Sequence, residues 1–262
     1  MSIFVHIREL ITARELLLAI AGRDIRAKYK QAFIGIAWAV IQPLALMVMF
    51  TIVFSIFAKI PSEGIPYPIF AYVALLPWGF FSGGISSACG SIIGNASLIT
   101  KVRMPTEVFP LAAIMARGVD LGISATIFLV MMLIYKITPD FHMLWVIPLL
   151  LIQVLLMMGI SLFLSAIAVF YRDISFGIGI VMQMWMFLSP VAYPISIVPE
   201  RYLKLYMLNP MATIIDGYRK IVLHGTVPNL ESLTWIFLVS VVVIVLSYSF
   251  FKAQEGKFAD LV

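Results

Sequence analysis

The stretch LWVIPLLLIQVLLMMGISLFLSAIAVF, Leu144–Phe170, contains no aspartate, glutamate, lysine, arginine or histidine. A helix needs about 20 predominantly apolar residues to cross the hydrocarbon core of a bilayer, whereas a strand of a membrane barrel needs about ten residues of alternating polarity. This stretch is continuously apolar and much longer than such a strand. It therefore predicts a transmembrane helix rather than part of a barrel.

Five further stretches are also apolar and long enough to cross a membrane, and the whole chain is correspondingly rich in apolar residues. Apolar residues make up 62% of the 262 residues and charged residues 12%, against about 45–50% and 25% in soluble domains. A soluble fold of this size could not bury so much apolar surface. We predict an all-α integral membrane protein, a single domain over residues 1–262, with six transmembrane helices at Phe33–Ala58, Tyr67–Gly90, Thr106–Tyr135, Leu144–Phe170, Phe176–Val198 and Leu233–Phe251.

Residues 1–32, before the first predicted span, are polar and basic but carry apolar residues at helical spacing. Leu10, Ile11, Leu17 and Leu18 fall on one side of such a helix. This pattern predicts an amphipathic helix that lies at the membrane surface. A helix docked on a partner protein is the alternative.

Basic residues are distributed unequally over the two sides that six spans define. The arm 1–32, the loops Ser91–Pro105 and Tyr171–Ser175 and the tail 252–262 share one side and carry eleven of the 18 lysines and arginines. The opposite side carries six, and the remaining one lies inside a span. Because cytoplasmic segments carry the excess of basic residues, we predict that both termini are cytoplasmic.

The third loop on the opposite side, residues 199–232, is longer than the other two and follows Pro190 and Pro194. Within it, Arg201–Leu208 and Met211–His224 are too short to cross a membrane, but each has one apolar face. Interrupted backbone is tolerated at membrane depth only where protein or a water-filled cavity receives it. We predict two short re-entrant helices that line an exit; a cap lying flat on the membrane is the alternative.

Arg117 and Asp120 lie inside the third predicted span, three residues apart and on one helix face. Because charges in hydrocarbon are costly, the pair either faces a polar pathway or a subunit contact, or neutralises itself in the bundle interior. The sequence shows no glycine-rich phosphate loop and no histidine cluster. We therefore expect neither catalysis nor a metal or cofactor in this chain.

Several motifs resemble those of a known transporter family. Near the start of the chain they are RDI at Arg23–Ile25, KYK at Lys28–Lys30, and the set Ile34-Gly35, Trp38 and Pro43-Leu44. A long match covers Tyr72–Leu111, and shorter ones are FYRDIS at Phe170–Ser175, SPVAYPIS at Ser189–Ser196 and LNPMATIIDGYR at Leu208–Arg219. Together they resemble the ABC-2 type permeases of polysaccharide exporters, closest to O-antigen permeases of the Wzm type. Teichoic acid and capsule permeases share much of this pattern.

This resemblance implies a homodimeric channel in the bacterial inner membrane that exports lipid-linked polysaccharide. Two separate ATP-binding subunits would bind ATP and magnesium and would dock on the cytoplasmic side. The residues expected to contact them are Asn95, Lys101, Arg103, Arg172 and Asp173. An ion or drug carrier that works alone is the alternative, and we expect no nucleic acid partner.

Two further sets of residues are candidates for contact with the transported molecule or with membrane lipids. The basic residues placed for a lipid pyrophosphate or an anionic lipid are Arg23, Arg26, Lys28 and Lys30. Simple anchoring of positive charge on the cytoplasmic side is the alternative explanation, and it is the one we favour. The channel or gate candidates are Trp78, Trp185, Tyr193, Tyr206, Tyr218, Arg117 and Asp120.

Overall fold

The computed structural model describes residues 12–30, 35, 37–102 and 104–261, and within these residues the chain contains helices but no strand. The helices are α1 (Arg14–Lys30), α2 (Ala37–Phe50), α3 (Tyr67–Cys89), α4 (Ser91–Gly94), α5 (Ala96–Ile99), α6 (Val108–Ile134), α7 (Val146–Phe170), α8 (Asp173–Phe187), α9 (Glu200–Tyr206), α10 (Pro210–His224), α11 (Leu230–Glu255) and α12 (Phe258–Leu261).

Three short helical turns complete these elements. A π-helical turn, Thr51–Phe57, extends α2, and 3₁₀ turns at Phe141–Trp145 and Ile195–Ile197 precede α7 and α9. Helices long and apolar enough to cross a membrane cover Ala37–Phe57, Tyr67–Cys89, Val108–Ile134, Phe141–Phe170 and Leu230–Glu255. The prediction of an all-helical chain with several apolar spans is confirmed, and these five correspond to the first four predicted spans and the sixth.

The fifth predicted span, Phe176–Val198, is not a continuous helix. α8 ends at Phe187, and its 15 residues extend only about 22 Å, against about 30 Å of hydrocarbon core. Proline lacks a backbone N–H and disfavours helical backbone in the residue before it. Pro190 therefore stops the helix early, the predicted extent is wrong, and the backbone from Leu188 to Pro194 is irregular.

Contacts between distant segments define one end of the molecule, here called the arm end. Arg23 of α1 donates to the Asn95 side chain at 2.7 Å, and the Thr106 hydroxyl donates to Glu255 at 2.7 Å. The arm, the segment 91–105 and the end of α11 therefore lie together. This matches the predicted grouping of these segments on one side.

The opposite end is defined in the same way by contacts of Glu63. Its carboxylate accepts a hydrogen bond from the Ser196 hydroxyl at 3.1 Å and lies 3.3 Å from His224 Nε2. The loop after α2, the turn before α9 and the end of α10 therefore meet there. The short helices α9 and α10 lie between this end and the interior of the bundle.

A separate apolar cluster fills the arm end. Its buried members come from α1, α4, α5, α6, α7, α11 and α12, and they are Ile20, Ala21, Ile92, Ile99, Val108, Phe109, Ala112, Leu162, Ala166, Val169, Phe251 and Phe258. One face of α1 is thus packed against this chain, while Leu18 on another face is exposed. The location of that exposed face at a membrane surface stays a prediction.

Helices α7 and α11 are in backbone contact at Gly159. A Cβ atom built on Gly159 would lie 2.9 Å from the Ile244 nitrogen and 2.9 Å from Val243 Cγ1. Real Cβ atoms do not approach a backbone nitrogen so closely. Small residues allow helices to approach each other in this way within membranes, so Gly159 sets the spacing between the two helices.

We predict that Gly159→Ala lowers the free energy of unfolding by about 1–3 kcal/mol, because the added methyl group forces α7 and α11 apart. Gly122→Ala on α6 is the matched control, since a Cβ atom there meets nothing within 4 Å. Thermal unfolding of the purified variants in detergent measures the effect. Equal unfolding temperatures for both variants and the original chain would contradict the prediction.

Candidate functional site

A cleft of about 470 Å³ lies between α2, α3, α6 and α8. Its aromatic and uncharged polar lining residues are Trp38, Gln42, Trp78, Phe80, Ser82, Ser86, Ser124 and Gln183. The part of the chain that the structure describes contains no group of three or more histidine, cysteine, aspartate or glutamate side chains that could hold a metal ion. The cleft therefore offers flat rings, amides and hydroxyl groups to a bound molecule.

Asp120 is the centre of a charged network on the cleft wall. Lys28 and Tyr29 of α1 both contact its carboxylate, and Arg117 Nη1 lies 3.4 Å from it. Arg117 also donates to the Ser87 hydroxyl at 2.9 Å. Burial, followed by the hydrogen bond to Asp120, raises the pKa of Tyr29. The predicted Arg117–Asp120 pair is present, but the contact with α1 was not predicted.

The four basic residues proposed for a lipid pyrophosphate divide into two pairs. Arg23 contacts Asn95 and the neighbouring aspartate, and Lys28 contacts the carboxylate on α6. Arg26 and Lys30 are exposed, and neither forms an ion pair with another residue among those described. Among the described residues, Arg26 and Lys30 could therefore bind an external anion without first losing an ion-pair partner.

The residues predicted to contact an ATP-binding subunit differ in their accessibility. Lys101, Arg172 and Asp173 are exposed. Asn95 is only 9% exposed, and its side chain accepts a bond from α1 and donates to a backbone carbonyl of α4. Arg103 lies outside the described residues. Asn95 therefore holds α1 against the segment 91–105, and its contact with a partner stays a prediction.

Side chains from other helices satisfy the irregular backbone that follows α8. Arg219 of α10 donates to the carbonyl of Val191 at 2.8 Å and to that of Tyr193 at 2.9 Å. Between them, the carbonyl of Ala192 accepts a bond from the Tyr67 hydroxyl at 2.7 Å. These bonds replace those that a continued helix would have made.

Arg219 was predicted only as a basic residue of the loop on the opposite side, so its structural role was missed. Its side chain is buried, and its guanidinium carbon lies 3.7 Å from the centre of the Phe70 ring. A cation over an aromatic face is stabilised by the ring electrons. In the sequence, the burial of Arg219 was indicated by its position beside the apolar face of α10, next to Tyr218 and near Ile215 and Val222.

Asn209, just before α10, joins the same irregular backbone to the aromatic residues. Its amide nitrogen donates to the Leu188 carbonyl and to the Ser189 hydroxyl, both at 3.0 Å. Its amide oxygen accepts from the indole of Trp185 at 2.9 Å and from the backbone of Met211 at 3.1 Å. Asn209 therefore caps α10 and fixes the start of that helix to the end of α8.

The predicted channel or gate residues fall in three different places. Trp78, Arg117 and Asp120 line the cleft. A second hollow of about 420 Å³ is lined by Trp185, Leu188, Tyr202, Leu205, Tyr206, Asn209 and Pro210. The remaining two are hydrogen-bonded within the chain, because Tyr193 accepts a bond from Tyr206 and the buried Tyr218 donates to Gln153 of α7.

Comparisons with known proteins agree over most of the chain. The model of the family described as ABC-2 type transporter matches residues 15–223. The O-antigen export system permease protein RfbA of Myxococcus xanthus is 29% identical over 257 residues, 97% of this chain and 98% of that protein. The protein of the same name from Klebsiella pneumoniae is 27% identical over 94% of this chain and 95% of its own length. The polysialic acid transport protein KpsM of Escherichia coli is 21% identical, covering 89% and 91%.

We predict that Asp120→Leu loosens α1 from the bundle, because Lys28 and Tyr29 lose their partner on α6 at a cost of about 1–3 kcal/mol. Limited trypsin digestion should then cleave α1 at Arg26 faster than in the original chain. Asp24→Leu is the matched control, since the Asp24 carboxylate contacts only the neighbouring arginine among described residues. Equal cleavage rates in the two variants would contradict the prediction.

Proposed function

The chain belongs to the ABC-2 type transporter family, and we propose that it is the channel-forming permease subunit of an ATP-driven exporter of lipid-linked polysaccharide, namely O antigen. Relatives named as O-antigen export permeases match it over nearly its whole length. The structural observation that carries the proposal is the cleft between α2, α3, α6 and α8, because its lining suits a hydroxyl-rich polymer.

A polymer of many sugars has to be threaded, since no pocket can enclose it. Threading requires repeated weak contacts, because tight binding at one point would stall the movement. The indole face of Trp38, which is exposed, can stack on sugar rings, while the exposed Gln42 and Gln183 can exchange hydrogen bonds with sugar hydroxyls. These three side chains carry no charge, so each contact is easily exchanged for the next.

A second copy of the chain would close the cleft into a tunnel. Large apolar side chains of α2 and α8 are exposed beside the cleft, among them Met49 on α2 and Ile180 and Met184 on α8. Such faces meet either lipid or another subunit in a membrane. Two-fold pairing, the commonest symmetry of oligomers, would place two clefts opposite each other, and we propose this homodimer as the channel.

The proposed topology has six crossings, of which the fifth is part helix and part irregular backbone. Near the start of α8, the Ser175 hydroxyl lies 3.9 Å from the sulfur of Cys89, the last residue of α3. Further along, Ser196 contacts Glu63 at the opposite end. Because the two contacts mark opposite ends of the bundle, the chain between Ser175 and Ser196 supports a complete crossing.

The segments α9 and α10 are proposed to form the re-entrant gate. Asn209, between them, bonds Trp185, whose ring centre lies 6.4 Å from that of Trp78. The apex of this hairpin is therefore level with Trp78, about 17 Å along α3 from Tyr67. From there α10 returns to the opposite end at His224, a path that favours a re-entrant hairpin over a flat cap.

The arm end is proposed to face the cytoplasm across the bacterial inner membrane, because the basic residues are concentrated there. Two ATP-binding subunits would dock on this end and supply the sites for ATP and magnesium. The exposed Lys101, Arg172 and Asp173 are available for that contact. Arg26 and Lys30 are available for a lipid pyrophosphate or for anionic lipids.

A capsular polysaccharide is the second candidate substrate. The polysialic acid transport protein KpsM is similar over 89% of this chain, although its identity of 21% is below that of the O-antigen permeases. An acidic polymer would favour a positively charged passage, and the cleft holds Lys28 and Arg117 around the single carboxylate of Asp120. The excess positive charge is small, which keeps O antigen the preferred substrate.

Reconstitution tests the proposal directly. The chain would be purified with the ATP-binding subunit encoded nearest to its gene and placed in liposomes loaded with lipid-linked O antigen. We expect movement of the glycan only when ATP and the second subunit are present. Movement against a gradient by this chain alone would contradict the proposal, and loss of capsule rather than O antigen on deletion would favour the second candidate.

We predict that Lys101→Glu combined with Arg103→Glu leaves membrane insertion intact but uncouples ATP hydrolysis from export. The reason is that charge reversal removes the contacts offered to the ATP-binding subunit by the segment 91–105. Lys136→Glu, an exposed lysine at the opposite end, is the control and should export normally. Unchanged export by the double variant would place the coupling contact elsewhere.

A further inference from the structure

A buried ion pair holds the start of α6 to the end of α11. Glu107 immediately precedes α6 and has an exposed fraction of 0%. Lys252 Nζ lies 2.8 Å from its carboxylate and also 2.8 Å from that of Glu255. Burial raises the pKa of Glu107, and the bond from Lys252 opposes this shift. A buried charge that loses its partner is strongly destabilising, so the two helix ends are tied together.

Glu255 also binds Thr106, the residue that follows the segment 91–105. The backbone N–H and the hydroxyl of Thr106 both donate to Glu255 Oε1, at 3.0 and 2.7 Å. Near the beginning of the same segment, Asn95 is held by Arg23 of α1. The segment proposed to meet the ATP-binding subunit is therefore fixed at both ends by helices to which it does not belong.

Apolar contacts strengthen this attachment. Phe251 of α11 and Phe258 of α12 are both fully buried, and their ring centres lie 5.2 Å apart. They belong to the same apolar cluster as Ile92 of α4 and Ile99 of α5. Helix α12 thus folds back against the segment 91–105 instead of extending away from the bundle.

The residues of α11 and α12 that form this attachment lie outside the part of the chain that the family model matches, which ends at residue 223. We propose that residues 252–261, here called the C-terminal anchor, position the segment 91–105 for its contact with the ATP-binding subunit. Glu255 and Lys252 act through Thr106 and Glu107 and are positioning residues. The role in coupling rests on the proposed function, whereas the anchoring itself does not.

Glu255→Leu is the variant that tests the anchor. It removes the acceptor for Thr106 but leaves Lys252 beside Glu107, so no buried carboxylate loses its counter-charge. Asp260→Leu is the matched control, because Asp260 is an exposed acidic residue on α12. We expect amide hydrogen exchange over residues 92–102 to become severalfold faster with Glu255→Leu and to stay unchanged with Asp260→Leu.

The second measurement is the number of ATP molecules hydrolysed per glycan exported by the reconstituted complex. This ratio does not depend on how much protein folds, so a purely structural defect would leave it unchanged. We expect Glu255→Leu to raise the ratio about fivefold or more, the usual lower range of a coupling effect. If this variant does not fold, Glu255→Gln should show a smaller change in the same direction.

The outcomes separate the anchor from the proposed function. If residues 92–102 of Glu255→Leu exchange at the same rates as in the unsubstituted chain, the inference is overturned, whether or not an ATP-binding subunit exists. Faster exchange with an unchanged ratio would overturn the role in coupling. Faster exchange in a chain that no ATP-binding subunit joins would reject the proposed function and the role in coupling, while supporting the anchoring.

Discussion

A peptide group inside a bilayer has to be hydrogen-bonded within the protein, because no water is present to replace a missing partner. The half of this structure that lies away from the arm end depends on that constraint. α8 stops at Phe187 after only 15 residues, and the chain continues as irregular backbone. Arg219, Tyr67 and Asn209 supply the donors that its carbonyls need. The backbone after α8 can be irregular because these three side chains are in place.

Two side chains of α10, those of Arg219 and Tyr218, connect the hairpin of α9 and α10 to the rest of the bundle. Arg219 lies on Phe70 of α3, and Tyr218 donates to Gln153 of α7, which in turn donates to the Pro77 carbonyl of α3. The arm end is organised separately, by the carboxylates of Glu107, just before α6, and Glu255, at the end of α11. In the proposed exporter the two ends therefore have different tasks, one as a gate for the polymer and the other as a platform for ATP-driven movement.

The long spans could be predicted because a bilayer imposes an apolar average over about 20 residues, which a sequence displays directly. The Arg117–Asp120 pair could be predicted because helical spacing fixes it. The path of the backbone beyond α8 could not, since it depends on donors from Arg219, some thirty residues further along the chain. The partners of Asp120 on α1 and the burial of Glu107 were missed for the same reason, because both arise from packing between distant segments.

The claim that side-chain donors hold the irregular backbone after α8 is tested most directly at Arg219. In Arg219→Leu, two backbone carbonyls lose their partners, at a cost of about 1–3 kcal/mol each. Amide hydrogen exchange over residues 191–193 should become much faster and the unfolding temperature should fall, while Arg201→Leu, an exposed arginine on α9, should change neither. Original exchange and stability in Arg219→Leu would show that the irregular backbone does not depend on these bonds.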